Sequence, residues 1–501
     1  MSLIGLDLNA ACIRAVRGAL GDYPFAEALD GARAELALAV NLEGRAPVLG
    51  SAGLRVCRKT PQHALLNFLP QVGTKAPPGR KGIDSRARLE PARALTLVFQ
   101  HVRRTCREAS GAVLALPPYL SATQIDELLT LAHKAGLPLL GSVSAPIAAA
   151  LAAHAEQAWF GAALVVDIDD QALTFSSITG LHGQAQLLDV RCRPQLGMRL
   201  WRERLLNALA DCFILESRWD PRESPVAEQA LLDQLDEVLD GVQQGRMVKL
   251  TLETSRRFQT MILQPNDGAA FCTALRRQVV DEVEAILRSP WPGGAPGPVL
   301  LTAAAARMPG LVAELQALMP IWANSLTPAP RTTASALEDF GTHLLDEPAD
   351  AGSVIVLSPD ASARGAHAVA AYFHRGDFAC GHLDTAAPLP LPQPLEAGPA
   401  RLHFQGQDYL LGRSVFVLGR LPGSDLMFDS ELWPGVANRH CEIIFEHFTH
   451  MLCDRSRDGT LINDRPATQA VPLRPGDWIR LGPEGPLLRF LGQSADLRTT
   501  A

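Results

Sequence analysis

Apolar residues recur along this chain at two spacings. Short runs at Ile4–Leu8, Ala112–Leu116, Ala162–Ile168 and Val299–Thr302 are strand-sized, and each is followed by turn residues. Stretches with helical apolar spacing lie at residues 122–135, 198–214, 226–245 and 270–288, and an Ala-rich run at 146–151 adds another. The alternation predicts an α/β architecture over residues 1–378. The texture then changes. The segment 386–394 reads Ala-Ala-Pro-Leu-Pro-Leu-Pro-Gln-Pro, which cannot serve as a central strand. Residues 379–400 are therefore expected to form a semi-rigid extended linker. Residues 401–493 hold short β-like segments broken by Gly, Pro, Asn and Asp, which predicts a β-sandwich. Residues 494–501 read as a tail, and no internal repeat is visible.

Composition narrows the class. A chain of 501 residues has room for several domains with ample cores, and 47% hydrophobic with 20% charged residues is ordinary for a globular protein. The formal charge of −7 argues against nucleic acid as the main partner. The one basic stretch, Lys75–Arg88, reads as a solvated loop, with contact to an acidic partner as the other reading. The N-terminus has no basic leader and starts at once as a strand, and no apolar run is long enough to span a membrane. No membrane insertion is expected. The nine cysteines are scattered and form no Cys-x-x-Cys pair. They point to a cytoplasmic protein with small apolar core cysteines rather than to a disulfide framework or a zinc site.

Several ordered motifs in residues 1–378 resemble the Hsp70-type nucleotide-binding domain of the actin/Hsp70/sugar-kinase superfamily. They are Gly5-Leu6-Asp7-Leu8-Asn9-Ala10-Ala11, Leu116-Pro117-Pro118-Tyr119-Leu120, Leu164-Val165-Val166-Asp167-Ile168, Leu300-Leu301-Thr302-Ala303-Ala304, and Ser358-Pro359-Asp360-Ala361-Ser362-Ala363-Arg364-Gly365-Ala366. The resemblance implies an actin-like ATPase fold with duplicated ribonuclease-H-like halves.

The chemistry that the resemblance would bring is largely missing. Such enzymes hold phosphates with backbone N–H groups on glycine hairpins, where a Cβ would clash. Here the first loop carries Asn9 for the family's Gly, and Ala10 and Ala11 for its two hydroxyls. The second loop reads Asp167-Ile168-Asp169-Asp170-Gln171-Ala172, with carboxylates where phosphate oxygens would sit. Like charges about 4 Å apart repel by about 1 kcal/mol in water and about 4 kcal/mol at an intermediate dielectric, so phosphate cradling is disfavoured unless a metal bridges them. Ala145 replaces the family's catalytic Glu and Leu69 its catalytic Lys, and Leu cannot stabilise a developing phosphate charge. Ala303 and Ala304 replace the adenosine-motif glycines, while Gly197, Arg204 and Leu205 survive from a further glycine motif. The resemblance leaves Asp7, Asp167 and Arg307 as a candidate nucleotide and magnesium site. The alternative is that the two acids only cap strand-end turns. No catalytic residue is assigned and no cofactor is required. Hydrolysis is not expected, while ATP binding with magnesium stays open. The Asp-x-Asp sequence at Asp167–Asp169 does not continue as a haloacid-dehalogenase loop, because Gln171 stands where Thr or Val is needed. An EF-hand is excluded by the missing central Gly and by Ile178 in place of the closing Glu. The peptide-binding domain and lid that follow in Hsp70 chaperones are not visible.

Residues 401–493 carry Leu418-Gly419-Arg420, Val436-Ala437-Asn438-Arg439-His440-Cys441-Glu442-Ile443, Asp454-Arg455-Ser456-Arg457-Asp458-Gly459-Thr460-Leu461-Ile462-Asn463 and Leu473-Arg474-Pro475-Gly476-Asp477-Trp478. In order and spacing they resemble a forkhead-associated (FHA) domain, a β-sandwich that reads phosphothreonine peptides with its loops. Anion recognition needs a fixed Arg, a hydroxyl donor and loop amides. The resemblance assigns the phosphopeptide face to Arg420, Asn438, Arg439, Arg457, Asp458, Gly459 and Thr460, and a structural role to His440. Two positions depart from the family pattern: Ala437 stands for its phosphate-donating Ser, and Asp458 for its Asn. Losing a donor to a charged acceptor costs about 1.5–3 kcal/mol, one to two decades of affinity. Arg439, Arg455 and Arg457 could compensate if they face the same loops.

Together these readings give an interaction or regulatory protein in serine/threonine signalling, with a degenerate ATPase domain and an FHA domain that recruits a protein partner, Thr-phosphorylated or not. The alternatives are a nucleotide-dependent switch or weak ATPase, and an actin-like assembly element. The oligomeric state is not readable from the sequence.

Overall fold

The computed structural model of the chain describes residues 2–19, 24–74, 89–157, 159, 161–180, 183–254, 257–289, 296–326, 353–379, 381–383, 388–392, 400–405, 407–411, 415–430, 432–446, 449–463, 465–467, 470–473, 477–483 and 485–491. The basic stretch Lys75–Arg88, the tail at 494–501 and residues 474–476 of the last motif lie outside them. Two compact units divide the chain, Met1–Pro392 and Gln393–Ala501.

The two largest sheets of the first unit share the wiring of their four central strands. In one, Ser2–Leu8 pairs antiparallel with Cys12–Ala19 and parallel with Ala109–Leu116, which in turn pairs parallel with Leu139–Ser144. In the other, Ala162–Ile168 pairs antiparallel with Leu173–Thr179 and parallel with Pro296–Leu301, which pairs parallel with Val354–Val356. The opening strand of each half is apolar on both faces, as a sheet covered on both sides requires. Ile4, Leu6 and Leu8 enter one core, while Leu3 faces the helices between the sheets. Leu164, Val166 and Ile168 do the same on the second sheet, with Ala163 and Val165 facing those helices. Full burial of each large apolar side chain contributes about 1.5–3 kcal/mol.

The two central helices, Ala145–Glu156 and Ala361–Arg375, pack against each other through small residues. A Cβ on Gly365 would stand 1.8 Å from the carbonyl oxygen of Ala148. Only Gly permits that approach, which is why the Ala-Arg-Gly-Ala sequence of this helix matters for packing.

Three expectations are revised. The helix expected over 226–245 is two helices, Pro225–Asp233 and Leu235–Gln243. At the break, Gln234 donates to the carbonyls of Ala230 (2.7 Å) and Thr251 (2.9 Å) and accepts from the Thr251 N–H (2.9 Å). The 270–288 stretch is likewise Pro265–Phe271 followed by Thr273–Leu287. The proline-rich segment is not wholly linker. Leu389–Pro390 pairs antiparallel with Gln184–Ala185 at the sheet edge, Leu389 is buried, and the Tyr372 hydroxyl donates to the Pro390 carbonyl. An edge position tolerates Pro because one side of the strand needs no ladder bond. Gly381–His382 also joins the first sheet.

The second unit is a two-sheet β-structure. Phe416–Gly419, Cys441–Glu446 and Thr449–Asp454 form the middle of one sheet. Arg401–Phe404, Leu487–Leu491, Trp478–Leu481 and Thr460–Ile462 form the middle of the other. Leu402, Leu418, Ile443, Leu452, Ile479, Leu481 and Leu488 fill the space between them.

Candidate functional site

In the first unit the two strand-opening hairpins face each other. The Asp7 carboxylate, buried at the end of Ser2–Leu8, accepts from Arg14 Nη1 at 3.2 Å, and Arg14 also donates to Glu35 at 2.8 Å. Burial pushes the Asp7 carboxyl up to about 6, against the lowering effect of Arg14 and with a raising contribution from Asp167. Asp167 accepts from the Thr302 hydroxyl at 2.7 Å, and its carboxyl is raised by burial as well. The structure therefore brings Asp7 and Asp167 close enough to interact, yet each already has a donor. Arg307 is held elsewhere: it donates to Asp240 at 2.8 Å and to Asp236 at 3.2 Å.

Asp169 and Asp170 behave differently from a repelling pair. Asp170 accepts from Arg202 at 2.9 Å. Asp169, only 5% exposed, turns into the gap between the hairpins. Its Oδ2 accepts from the Ala10 N–H at 2.9 Å and from the Tyr119 hydroxyl. Its Oδ1 accepts from the N–H groups of Gln171 and Ala172, both at 2.9 Å. Burial raises its carboxyl to about 6 although the Tyr119 hydroxyl and the Ala10 and Ala172 amides pull the other way. The Tyr119 hydroxyl is pushed well above its ordinary value, by burial first and then by the Asp169 charge. Leu69 is a fully buried core residue, and Ala145 opens its helix with no carboxylate to offer.

A second set of polar contacts joins the segment at 54–58 to the helix Pro225–Asp233. The fully buried Gln229 accepts from the Arg58 N–H and donates to the Leu54 carbonyl, both at 2.8 Å. Arg58 also pairs with Glu203 and Glu228. Sequence reasoning assigned no role to Tyr119, Arg202, Asp236, Asp240 or Gln229. Their partners lie far away in the chain, so no local pattern marks them.

In the second unit three loops are knitted around His440. A Cβ on Gly419 would meet the Asn438 carbonyl oxygen at 2.2 Å, so the end of Phe416–Gly419 lies directly on the 436–440 loop. The N–H groups of Arg420 and Leu421 both donate to that carbonyl, at 3.0 and 3.1 Å. His440 is fully buried. Its Nδ1 accepts from the Ala437 N–H at 3.0 Å, which leaves the Nε2 proton to donate to the Gly459 carbonyl at 3.3 Å. Burial lowers its pKa, so it works as a neutral tie. Gly459 takes φ +78°, and Asp454 accepts from Ser456 and from the Thr460 hydroxyl, each at 2.8 Å.

The expected ligand face divides accordingly. Thr460 is fully buried with its hydroxyl committed to Asp454, so it supports the loop instead of facing a ligand. Arg439 and Arg455 are both exposed, and both pair with Glu442. Arg457, Asp458 and the Asn438 side chain are exposed. Arg420 is half-buried, and its Nε is buried without a hydrogen-bond partner. Among the described residues no group of three or more His, Cys, Asp or Glu is placed to hold a metal ion, and no helix is long and apolar enough to cross a membrane. Compared with known families, residues 409–482 match the FHA domain, a phosphopeptide-interaction module.

Proposed function

We propose, from the FHA domain at residues 409–482, that this chain is a non-catalytic interaction protein in which that domain recruits a Thr-phosphorylated protein and residues 1–378 form an Hsp70-like, actin-like domain without nucleotide chemistry. Two sheets whose four central strands share one wiring, with paired helices between them, support the fold reading. One observation carries the functional reading: the amide donors at Ala10, Gln171 and Ala172, where such a fold would hold phosphate, already donate to Asp169. Arg307, the residue expected to face adenine, is tied to Asp236 and Asp240. With Ala145 and Leu69 in the catalytic positions, the carboxylate and the ammonium that the resemblance would place there are replaced by apolar side chains.

At the second unit, Arg420 supplies the fixed cation and the loops tied by His440 supply the frame. The test is a calorimetric titration of the full chain, first with ATP and magnesium, then with phosphothreonine peptides. The expected result is no heat with nucleotide and saturable binding with peptide. Binding of ATP would replace this reading with a nucleotide-dependent switch. Concentration-dependent polymers in light scattering would replace it with an assembly element.

A further inference from the structure

We infer that the two facing hairpins of the first unit form a built oxyanion site whose resident ligand is the chain's own Asp169 carboxylate. The inference rests on the reading of this unit as a nucleotide-type fold only for its origin; the geometry stands by itself.

A carboxylate just after a strand often accepts the amides two and three residues on, so the bonds from Gln171 and Ala172 could be a local turn and nothing more. The other oxygen decides the matter. Oδ2 is reached by the Ala10 N–H, from 159 residues away, and by the Tyr119 hydroxyl, from 50 residues away. Neither bond is a product of local chain geometry. Donors from three separate segments thus converge on one buried carboxylate and use both of its oxygens.

The neighbouring acids sharpen the contrast. Asp7 is paired with Arg14, and Asp170 with Arg202. Asp169 has no ion-pair partner among the described residues and is held by neutral dipoles alone. Backbone amides and a hydroxyl, arranged around a buried anion, make an oxyanion cradle and not a salt bridge. Ala10 and Tyr119 follow strands of the first sheet, and Asp169 follows a strand of the second. The bound carboxylate therefore clasps the two halves together without any added ligand. The Gln229 contacts to Leu54 and Arg58 fasten the same pair of halves at a second place.

The test is chemical rescue. Asp169→Gly removes the carboxylate and leaves its donors in place. In the full chain, this variant is expected to unfold several degrees below the wild type. Formate or acetate at tens of millimolar should recover most of the difference, while chloride at equal ionic strength should not. The wild type should respond to neither. Equal stability of variant and wild type, or recovery by chloride as well as by formate, would overturn the inference. Should Asp169→Gly fail to fold, Asp169→Asn keeps the shape but turns an NH₂ toward two of the donors. Hydrogen exchange at Ala10, or at Gln171 and Ala172, should then quicken about tenfold, and unchanged exchange would sink the idea. ATP binding by the wild type would defeat the non-catalytic reading and leave a formate rescue standing. Absent rescue without ATP binding would defeat this inference alone.

Discussion

The first unit and the second each hold a set of donors suited to an oxyanion, and they differ in whether the donors are spent. Around Asp169, three N–H groups and a hydroxyl all have their acceptor inside the fold. Around Arg420, the loops are tied just as firmly through His440 and Asp454, yet the guanidinium Nε has no partner. A buried donor left without an acceptor costs about 1–3 kcal/mol, so the fold gains no hydrogen bond from this Nε. Satisfied polar clusters act as scaffold, and a preorganised cluster with one open valence is where a ligand belongs. On this comparison the donors of the first unit are satisfied within the fold, while the Arg420 Nε of the second is not.

The largest expected effect tests the open side. Arg420→Ala should weaken phosphothreonine-peptide binding by about 100-fold, because a charge-assisted contact worth about 3 kcal/mol goes with it. Fluorescence anisotropy with a labelled peptide reads this directly. Thermal stability should not fall, since Arg420 Nε makes no internal hydrogen bond. Unchanged affinity would move the site away from Arg420 and break the comparison.

The closed side has a pH signature. Asp7 and Asp169 both sit at about 6 in the folded chain against an ordinary 3.8. Asp7 faces Arg14, Asn9 and Asp167; Asp169 faces Tyr119, the loop amides and Asp167. A raised folded value means that their contribution to stability is fully present below 3.8 and is lost as the pH rises through about 6. Between about pH 5 and pH 7.5 each group should remove about 1 kcal/mol, read as falling urea midpoints of the first unit. Asp169→Asn should flatten roughly half of that slope. A midpoint that rises over the same interval would show that the donors, not burial, dominate these carboxyls.

How much of this was legible in the sequence depends on the range of the interaction. Strands such as Ala162–Ile168 announce themselves because burial on both faces needs a continuous apolar run. The His440 tie could be expected from a motif whose members lie within a few residues. The break at Gln234 was hidden, because Leu231, Leu235, Val238 and Leu239 keep helical spacing straight through it. The helix ends there through side-chain bonds to Thr251, which only the folded chain supplies. Asp169 was legible as a departure from a phosphate loop but not as that loop's occupant. Which of three neighbouring acids meets the Ala10 amide is decided by the mutual placement of two sheets. The ion pairs of Arg439 and Arg455 were hidden for a related reason: Glu442 lies within reach of both only once the chain is folded.

Ala437→Ser comes next in size. It returns a hydroxyl donor beside Arg420 in a loop whose backbone is already fixed by the bond from Ala437 N–H to His440. Affinity for a phosphothreonine peptide should rise about tenfold, equivalent to about 1.4 kcal/mol, with no change in the unphosphorylated control. No gain would mean that phosphate does not approach this loop, and the contrast between spent and open donors would then rest on Arg420 alone.

The smallest expected effect concerns Asp458, which is exposed beside Gly459 and forms no ion pair among the described residues. Its charge repels an arriving phosphate, but water screens an exposed pair to about 1 kcal/mol or less. Asp458→Asn should therefore tighten peptide binding only a few-fold, and the gain should shrink as salt shortens the screening length. Arg457, exposed on the adjacent residue, already offsets part of the repulsion, which is a further reason to expect a small number. The salt dependence separates two causes that affinity alone would confuse. A gain that persists at high salt would come from the new amide donor bonding the peptide. A loss on substitution would instead show Asp458 accepting from the peptide, either a backbone N–H or a basic side chain. A panel of phosphopeptides varying only in the charge beside the phosphothreonine would then tell those two acceptor roles apart.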